Sequence, residues 1–140
     1  MKLSARNQLA GTVEKISEGA VNGIVTISVN GTPVTATISM SAIRELGLEP
    51  GKPAYAVIKA TEVMVGLGGH LALSARNQFP GKVVSVEKGA VNSIVKLSVL
   101  GGNTMSATIS NAAVEELGLA EGADALAVVK ATSVMVGIDG

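Results

Sequence analysis

The repetition of this chain along its own length limits it to two copies of one small fold. Ser4-Ala5-Arg6-Asn7-Gln8 returns as Ser74-Ala75-Arg76-Asn77-Gln78, and Gly19-Ala20-Val21-Asn22 returns as Gly89-Ala90-Val91-Asn92. After a one-residue insertion near Gly102 the match resumes. Glu45-Leu46-Gly47-Leu48 recurs as Glu116-Leu117-Gly118-Leu119, Lys59-Ala60-Thr61 as Lys130-Ala131-Thr132, and Val63-Met64-Val65-Gly66 as Val134-Met135-Val136-Gly137. Self-similarity over most of the chain marks a tandem duplication. The expected division is 1–66 for the first domain, a glycine-rich linker at 67–70, and 71–140 for the second.

Each copy shows what the other tolerates. Thr12 corresponds to Lys82, Glu18 to Lys88, Arg44 to Glu115, Lys52 to Ala123 and Glu62 to Ser133, as solvated surface positions do. The basic residues present in both copies are Arg6 with Arg76 and Lys59 with Lys130, and the matched acid is Glu45 with Glu116. Two cations per copy against a scrambled background point to an anion site. An ion pair of Arg6 and Arg76 with Glu45 and Glu116 is the structural alternative. Lys59 and Lys130 could likewise snorkel from the ends of apolar strands.

With 140 residues in two copies, each core is near the lower limit for independent stability. Phe79 and Tyr55 are the aromatic residues, and there is no cysteine, so neither a disulfide nor a thiolate metal site is available. Burial of surface between subunits is the remaining route, and a homo-oligomer is expected. The formal charge of zero and the lack of aromatic platforms argue against a nucleic-acid partner. No apolar run approaches the roughly 18 residues of a membrane span. Met1-Lys2-Leu3-Ser4 runs directly into the first motif, so no signal peptide and a cytoplasmic location are expected.

Alternating apolar residues predict strands at 11–16, 20–29, 34–39, 54–60 and 63–65, with Asn30-Gly31 as a hairpin turn. Residues 40–46 have helical spacing, with Ser39 or Ser41 as N-cap and Gly47 to end the helix, and 110–118 repeats this. Five short antiparallel strands, with a helix between the third and fourth, predict an all-β fold with short helices: two tandem OB-like five-stranded Greek-key barrels.

The spaced set Ser-Ala-Arg-Asn-Gln, Gly-Ala-Val-Asn, Glu-Leu-Gly-Leu, Lys-Ala-Thr and Val-Met-Val-Gly resembles the Mop family of molybdate-binding domains, in the two-domain form of the molbindins. The resemblance covers nearly the whole chain, twice. It implies a threefold assembly, a homotrimer of two-barrel chains, with anion sites at boundaries between barrels. It also implies that Ser4, Ala5, Arg6, Asn7, Lys59, Ala60 and Thr61, with Ser74, Ala75, Arg76, Asn77, Lys130, Ala131 and Thr132, line the principal molybdate or tungstate sites. The loops Gly19, Ala20, Val21, Asn22 and Gly89, Ala90, Val91, Asn92 resemble those of a second class of anion site. Where many members carry Lys-Ala-Ser, both copies here have Lys-Ala-Thr, which keeps the hydroxyl and adds a methyl group.

The chemistry agrees with that resemblance. Molybdate is a tetrahedral dianion whose oxygens only accept hydrogen bonds, so its pocket needs donors and no carboxylate. Hydroxyl, backbone N–H and ammonium groups meet that need. No protein atom is expected on the metal, and no catalytic cofactor. The chain offers an enzyme little: one unmatched histidine, His70, and no paired acid and base. Reversible binding for storage and homeostasis is the expected role. The alternatives are an oxyanion-sensing module acting through a separate partner and, on fold analogy, a nucleic-acid-binding OB module.

Overall fold

The computed structural model describes residues 1–140, which form two compact units, Met1–Ile58 with Ala131–Gly140, and Lys59–Lys130. Ten strands and two short helices run in the order β1 Asn7–Ser17, β2 Asn22–Val29, β3 Thr32–Ser39, α1 Met40–Glu45, β4 Pro53–Ile58 and β5 Met64–Gly66, then β6 Asn77–Lys88, β7 Asn92–Val99, β8 Asn103–Ser110, α2 Asn111–Leu117, β9 Asp124–Val129 and β10 Met135–Gly137. Single-turn 3₁₀ helices, Ala60–Glu62 and Ala131–Ser133, precede β5 and β10.

Each unit is a five-stranded antiparallel sheet, curled in the OB manner, with strand order β10-β4-β1-β2-β3 in the first and β5-β9-β6-β7-β8 in the second. The fifth strand of each sheet therefore comes from the other repeat. Met135, Val136 and Gly137 pair with Val57, Ala56 and Tyr55, while Met64, Val65 and Gly66 pair with Val128, Ala127 and Leu126. Periodicity cannot reveal such an exchange, because a three-residue strand carries the same alternation whichever sheet receives it. The repeat in the sequence and the compact units of the fold thus have different boundaries.

All five expected strands form in each copy, and three of the boundary shifts have a physical reason. β1 starts at Asn7, four residues before the expected position, because Asn7, Leu9 and Val13 all point inward and a buried polar residue disguises the pattern. The fourth strand stops at Ile58, where the chain turns into the 3₁₀ helix. β2 starts at Asn22, since 19–21 form the loop before it.

Asn30 and Gly31 have φ of 49° and 84°, the two left-handed residues of a primed hairpin turn. In the second copy the inserted residue widens this turn, and Leu100 takes the left-handed position with φ 52°. Ser39 and Ser110 cap the helices, their hydroxyls accepting from the Ala42 and Ala113 N–H at 3.1 and 3.0 Å. The core is mostly aliphatic, with Met40, Phe79 and Met105 added, and Val25, Ile27, Val34 and Ile58 are sealed in the first unit and Val95, Leu97 and Met105 in the second. Phe79 fills the place that Leu9 takes in the first copy.

Candidate functional site

The repeated Ser-Ala-Arg-Asn segments lie just before β1 and β6, at one end of each sheet. Asn7 pairs with Ile58 and Asn77 with Val129. The residues that follow those partners in the chain are Lys59 and Lys130, so each matched lysine leaves its strand at the end where a Ser-Ala-Arg-Asn segment enters. Asn7 and Asn77 are 1% and 2% exposed, and no buried side-chain nitrogen or oxygen lacks a hydrogen-bond partner. They are built into the sheet end, while Ser4, Arg6, Ser74 and Arg76 are exposed.

No backbone hydrogen bond of the fold uses the N–H of Ser4, Ala5 or Arg6, or of Ser74, Ala75 or Arg76. These donors remain for a ligand or for water. The ion pairs of the chain are Met1 N-terminus with Asp139, Lys82 with Asp124, and Lys88 with Glu115. Arg6, Arg76, Lys59 and Lys130 take part in none, so the reading of the arginines as partners of Glu45 and Glu116 falls.

The Lys-Ala-Thr turns have a simple construction. Ala60 and Ala131 are 7% and 8% exposed and anchor the turn, and the flanking Lys59, Thr61, Lys130 and Thr132 are exposed on either side. Lys59, Ala60 and Thr61 fall in the compact unit that holds Ser74 to Asn77 and Lys130, whereas Ala131 and Thr132 fall in the unit that holds Ser4 to Asn7. The strand exchange therefore distributes the motif set of each repeat over both units.

The Gly-Ala-Val-Asn loops are exposed bends into β2 and β7. A Cβ on Gly19 or Gly89 would lie 2.4 or 2.6 Å from the carbonyl oxygen of Asn22 or Asn92, so the bend requires glycine. The carbonyls of Val21 and Val91 accept from the N–H of Met40 and Asn111 at 2.8 and 2.9 Å, which ties each loop to the start of a helix. The second copy adds a polar tie, with Ser93 Oγ on Asn111 Oδ1 and Asn111 Nδ2 on the Gly89 carbonyl. The first copy fills that place with Met40 and Ile43 packed over Gly23.

Two features escaped the sequence reading. Gln8 and Gln78, the last residues of the first motif, fold back over the segment before them: Gln8 Nε2 donates to the Leu3 and Ala5 carbonyls at 3.1 and 3.0 Å, and Gln78 Nε2 to those of Leu71 and Ala75 at 3.0 and 3.4 Å. Their repetition within the motif was the available signal. The second is a lysine kept by place and not by position. Lys15 pairs across strands with Thr26, and at the corresponding pair Ser85 faces Lys96.

One side-chain contact of the first unit has no duplicate in the second. Tyr55 O–H donates to the Asp139 carboxylate at 3.1 Å, beside a shallow groove bordered by Lys52 and Ile138. That hydrogen bond, and then the carboxylate charge, raise the phenol above its ordinary range. The corresponding residues are Leu126 and Gly68, so this contact belongs to one copy. No group of three or more His, Cys, Asp or Glu gathers as a metal site, and no helix is long and apolar enough to cross a membrane.

Two curled five-stranded sheets, each with an unengaged row of amide donors at one end, define a tandem OB-like binding module. The TOBE domain family profile matches residues 3–65 and again 73–136, and the chain belongs to that family. The molybdenum transport protein ModE of Herbaspirillum seropedicae is 44% identical over 99% of this chain, and the chain spans 52% of its length, about half. A probable molybdenum-pterin-binding protein of Haemophilus influenzae is 56% identical over 69 residues, all of its length and 49% of this chain. Among solved structures, the cytoplasmic molybdate-binding protein ModG, in a form with molybdate bound, is 42% identical with a TM-score of 0.95, covering 99% of this chain and 100% of that one. The resemblance read from the motifs is thereby borne out.

Proposed function

We propose that this protein binds molybdate reversibly in the cytoplasm, as a store that buffers the anion, and takes tungstate in the same way. The observation that carries this reading is the sheet end itself: repeated, unengaged backbone N–H groups beside matched cations that no carboxylate neutralises. Ser4, Ala5, Arg6, Asn7, Lys59, Ala60 and Thr61, with their counterparts Ser74, Ala75, Arg76, Asn77, Lys130, Ala131 and Thr132, supply the principal sites. The Gly19 to Asn22 and Gly89 to Asn92 loops supply a second class. Charge-assisted hydrogen bonds contribute roughly 1.5 to 3 kcal/mol each, so about five give roughly 8 to 15 kcal/mol before desolvation. Micromolar affinity needs about 8 kcal/mol net. Sulfate has the same charge on a smaller tetrahedron and leaves donors out of reach. The protein does no chemistry on the anion.

The sites are completed when three chains assemble. Apolar residues stay exposed in matched pairs: Leu3 and Leu73 at 54% and 53%, Val21 and Val91 at 74% and 73%, Met64 and Met135 at 44% each. Two copies that scramble their surface charge but keep the same apolar residues exposed are keeping them for a partner surface. A sensing role through a separate partner is the second reading; the region matched in the ModE relative makes up 52% of its length, so such a pair of domains also occurs within a longer chain.

Native mass spectrometry with and without molybdate tests the proposal. The expected result is a three-chain mass that gains molybdate increments. A single-chain mass at micromolar concentration overturns the shared sites, and a mass that gains no molybdate overturns the function.

A further inference from the structure

We propose that Gln8 and Gln78 are positioning residues that aim the backbone N–H groups of Arg6 and Arg76 at the bound anion; this rests on the molybdate reading above. The segments before β1 and β6 make no ladder hydrogen bonds, so nothing in the sheet fixes which way their peptide groups face. The glutamine side chains do. Gln8 holds the carbonyls of Leu3 and Ala5, and Gln78 holds those of Leu71 and Ala75 while its Oε1 accepts from the Leu71 N–H at 2.8 Å.

Every peptide bond in the chain is trans. In a trans peptide the C=O and the N–H of the next residue point in opposite directions within one plane. A carbonyl of Ala5 or Ala75 held toward the glutamine therefore turns the N–H of Arg6 or Arg76 away from it. In the first copy the held Leu3 carbonyl does the same for the N–H of Ser4. These N–H groups make no backbone hydrogen bond. The same glutamine keeps the carbonyl oxygens, which an oxyanion repels, occupied on the opposite side. A primary amide suits this task, because it offers two donors and no charge to compete with the ligand. The upstream partner differs between copies, since Leu71 corresponds to Met1 and not to Leu3, but the alanine carbonyl of the motif is held in both. This accounts for a role of Arg6 and Arg76 that resides in the peptide group.

The test uses the full chain with two paired variants and molybdate as the probe. Gln8→Leu with Gln78→Leu removes the donors, and a loss of affinity of about tenfold or more is expected at all pH values. Gln8→Glu with Gln78→Glu sets a carboxylate against two carbonyls at pH 8. On protonation that carboxyl regains one O–H donor, so its affinity relative to the parent protein at the same pH should recover in part as the pH falls from 8 to 4, through the ordinary glutamate pKa of about 4.3. Melting curves accompany each titration, and the near-isosteric glutamate pair carries the test should the leucine pair fail to fold. Parent-like affinity in a folded variant at pH 8, or a glutamate pair that stays equally weak at pH 4, overturns the positioning role and leaves the molybdate reading standing. A parent chain that takes up no molybdate overturns both.

Discussion

Reversing Lys59 and Lys130 together, as Lys59→Glu with Lys130→Glu, should lower molybdate affinity at the principal sites at least about 100-fold while the protein stays folded. Each swap removes a charge-assisted donor of roughly 1.5 to 3 kcal/mol and sets a carboxylate against a dianion. Both lysines are exposed at strand ends and free of ion pairs, so the fold loses little. Arg44→Glu is the matched control, because the second copy already carries Glu115 there. Isothermal titration with melting curves measures both. Equal molybdate affinity in the reversed pair and the parent would remove the lysines from the site.

The largest effect on stability is expected from Gly11→Ala and Gly81→Ala. A Cβ at Gly11 would lie 2.4 Å from the Ser28 carbonyl oxygen, and one at Gly81 would lie 2.0 Å from that of Ser98, with Ile27 and Val99 methyl groups at 2.7 Å. The obstacle is the backbone of the neighbouring strand, which cannot yield as a flexible side chain does. β1 and β6 carry a register shift just beyond these glycines, and the bare backbone there lets the strand coil into its neighbour. Overpacking a core costs about 1 to 3 kcal/mol, and each substitution should reach the upper end of that range. The melting temperature should fall by about 10 °C or more. Gly69→Ala meets nothing within 4 Å and should be neutral. A chain that carries both alanines and melts with the parent would contradict the close approach.

Much of the fold was legible because a duplicated sequence supplies its own comparison. The Asn30-Gly31 turn and the Ser39 and Ser110 caps follow from local chemistry that periodicity exposes, and repetition singles out the four matched cations, whose freedom from ion pairs only the structure decides. What stayed hidden depends on register and on exchange. Lys15 with Thr26 and Ser85 with Lys96 look like unrelated substitutions until β1 is paired with β2 and β6 with β7. Lys88 with Glu115 is an ion pair whose positions carry Glu18 and Arg44 in the first copy, an inversion that reads as noise along the chain. Gly23 with Met40 against Ser93 with Asn111 is a third such exchange, apolar in one copy and polar in the other. The swap of β5 and β10 leaves no local mark, since identical short strands fit either sheet.

The central claim is that the anion is held intact by hydrogen-bond donors. X-ray absorption at the molybdenum edge of the loaded protein tests it most directly. The expected first shell is the four oxygens of tetrahedral molybdate and nothing else. A nitrogen, a sulfur or a fifth oxygen bound to the metal would contradict it.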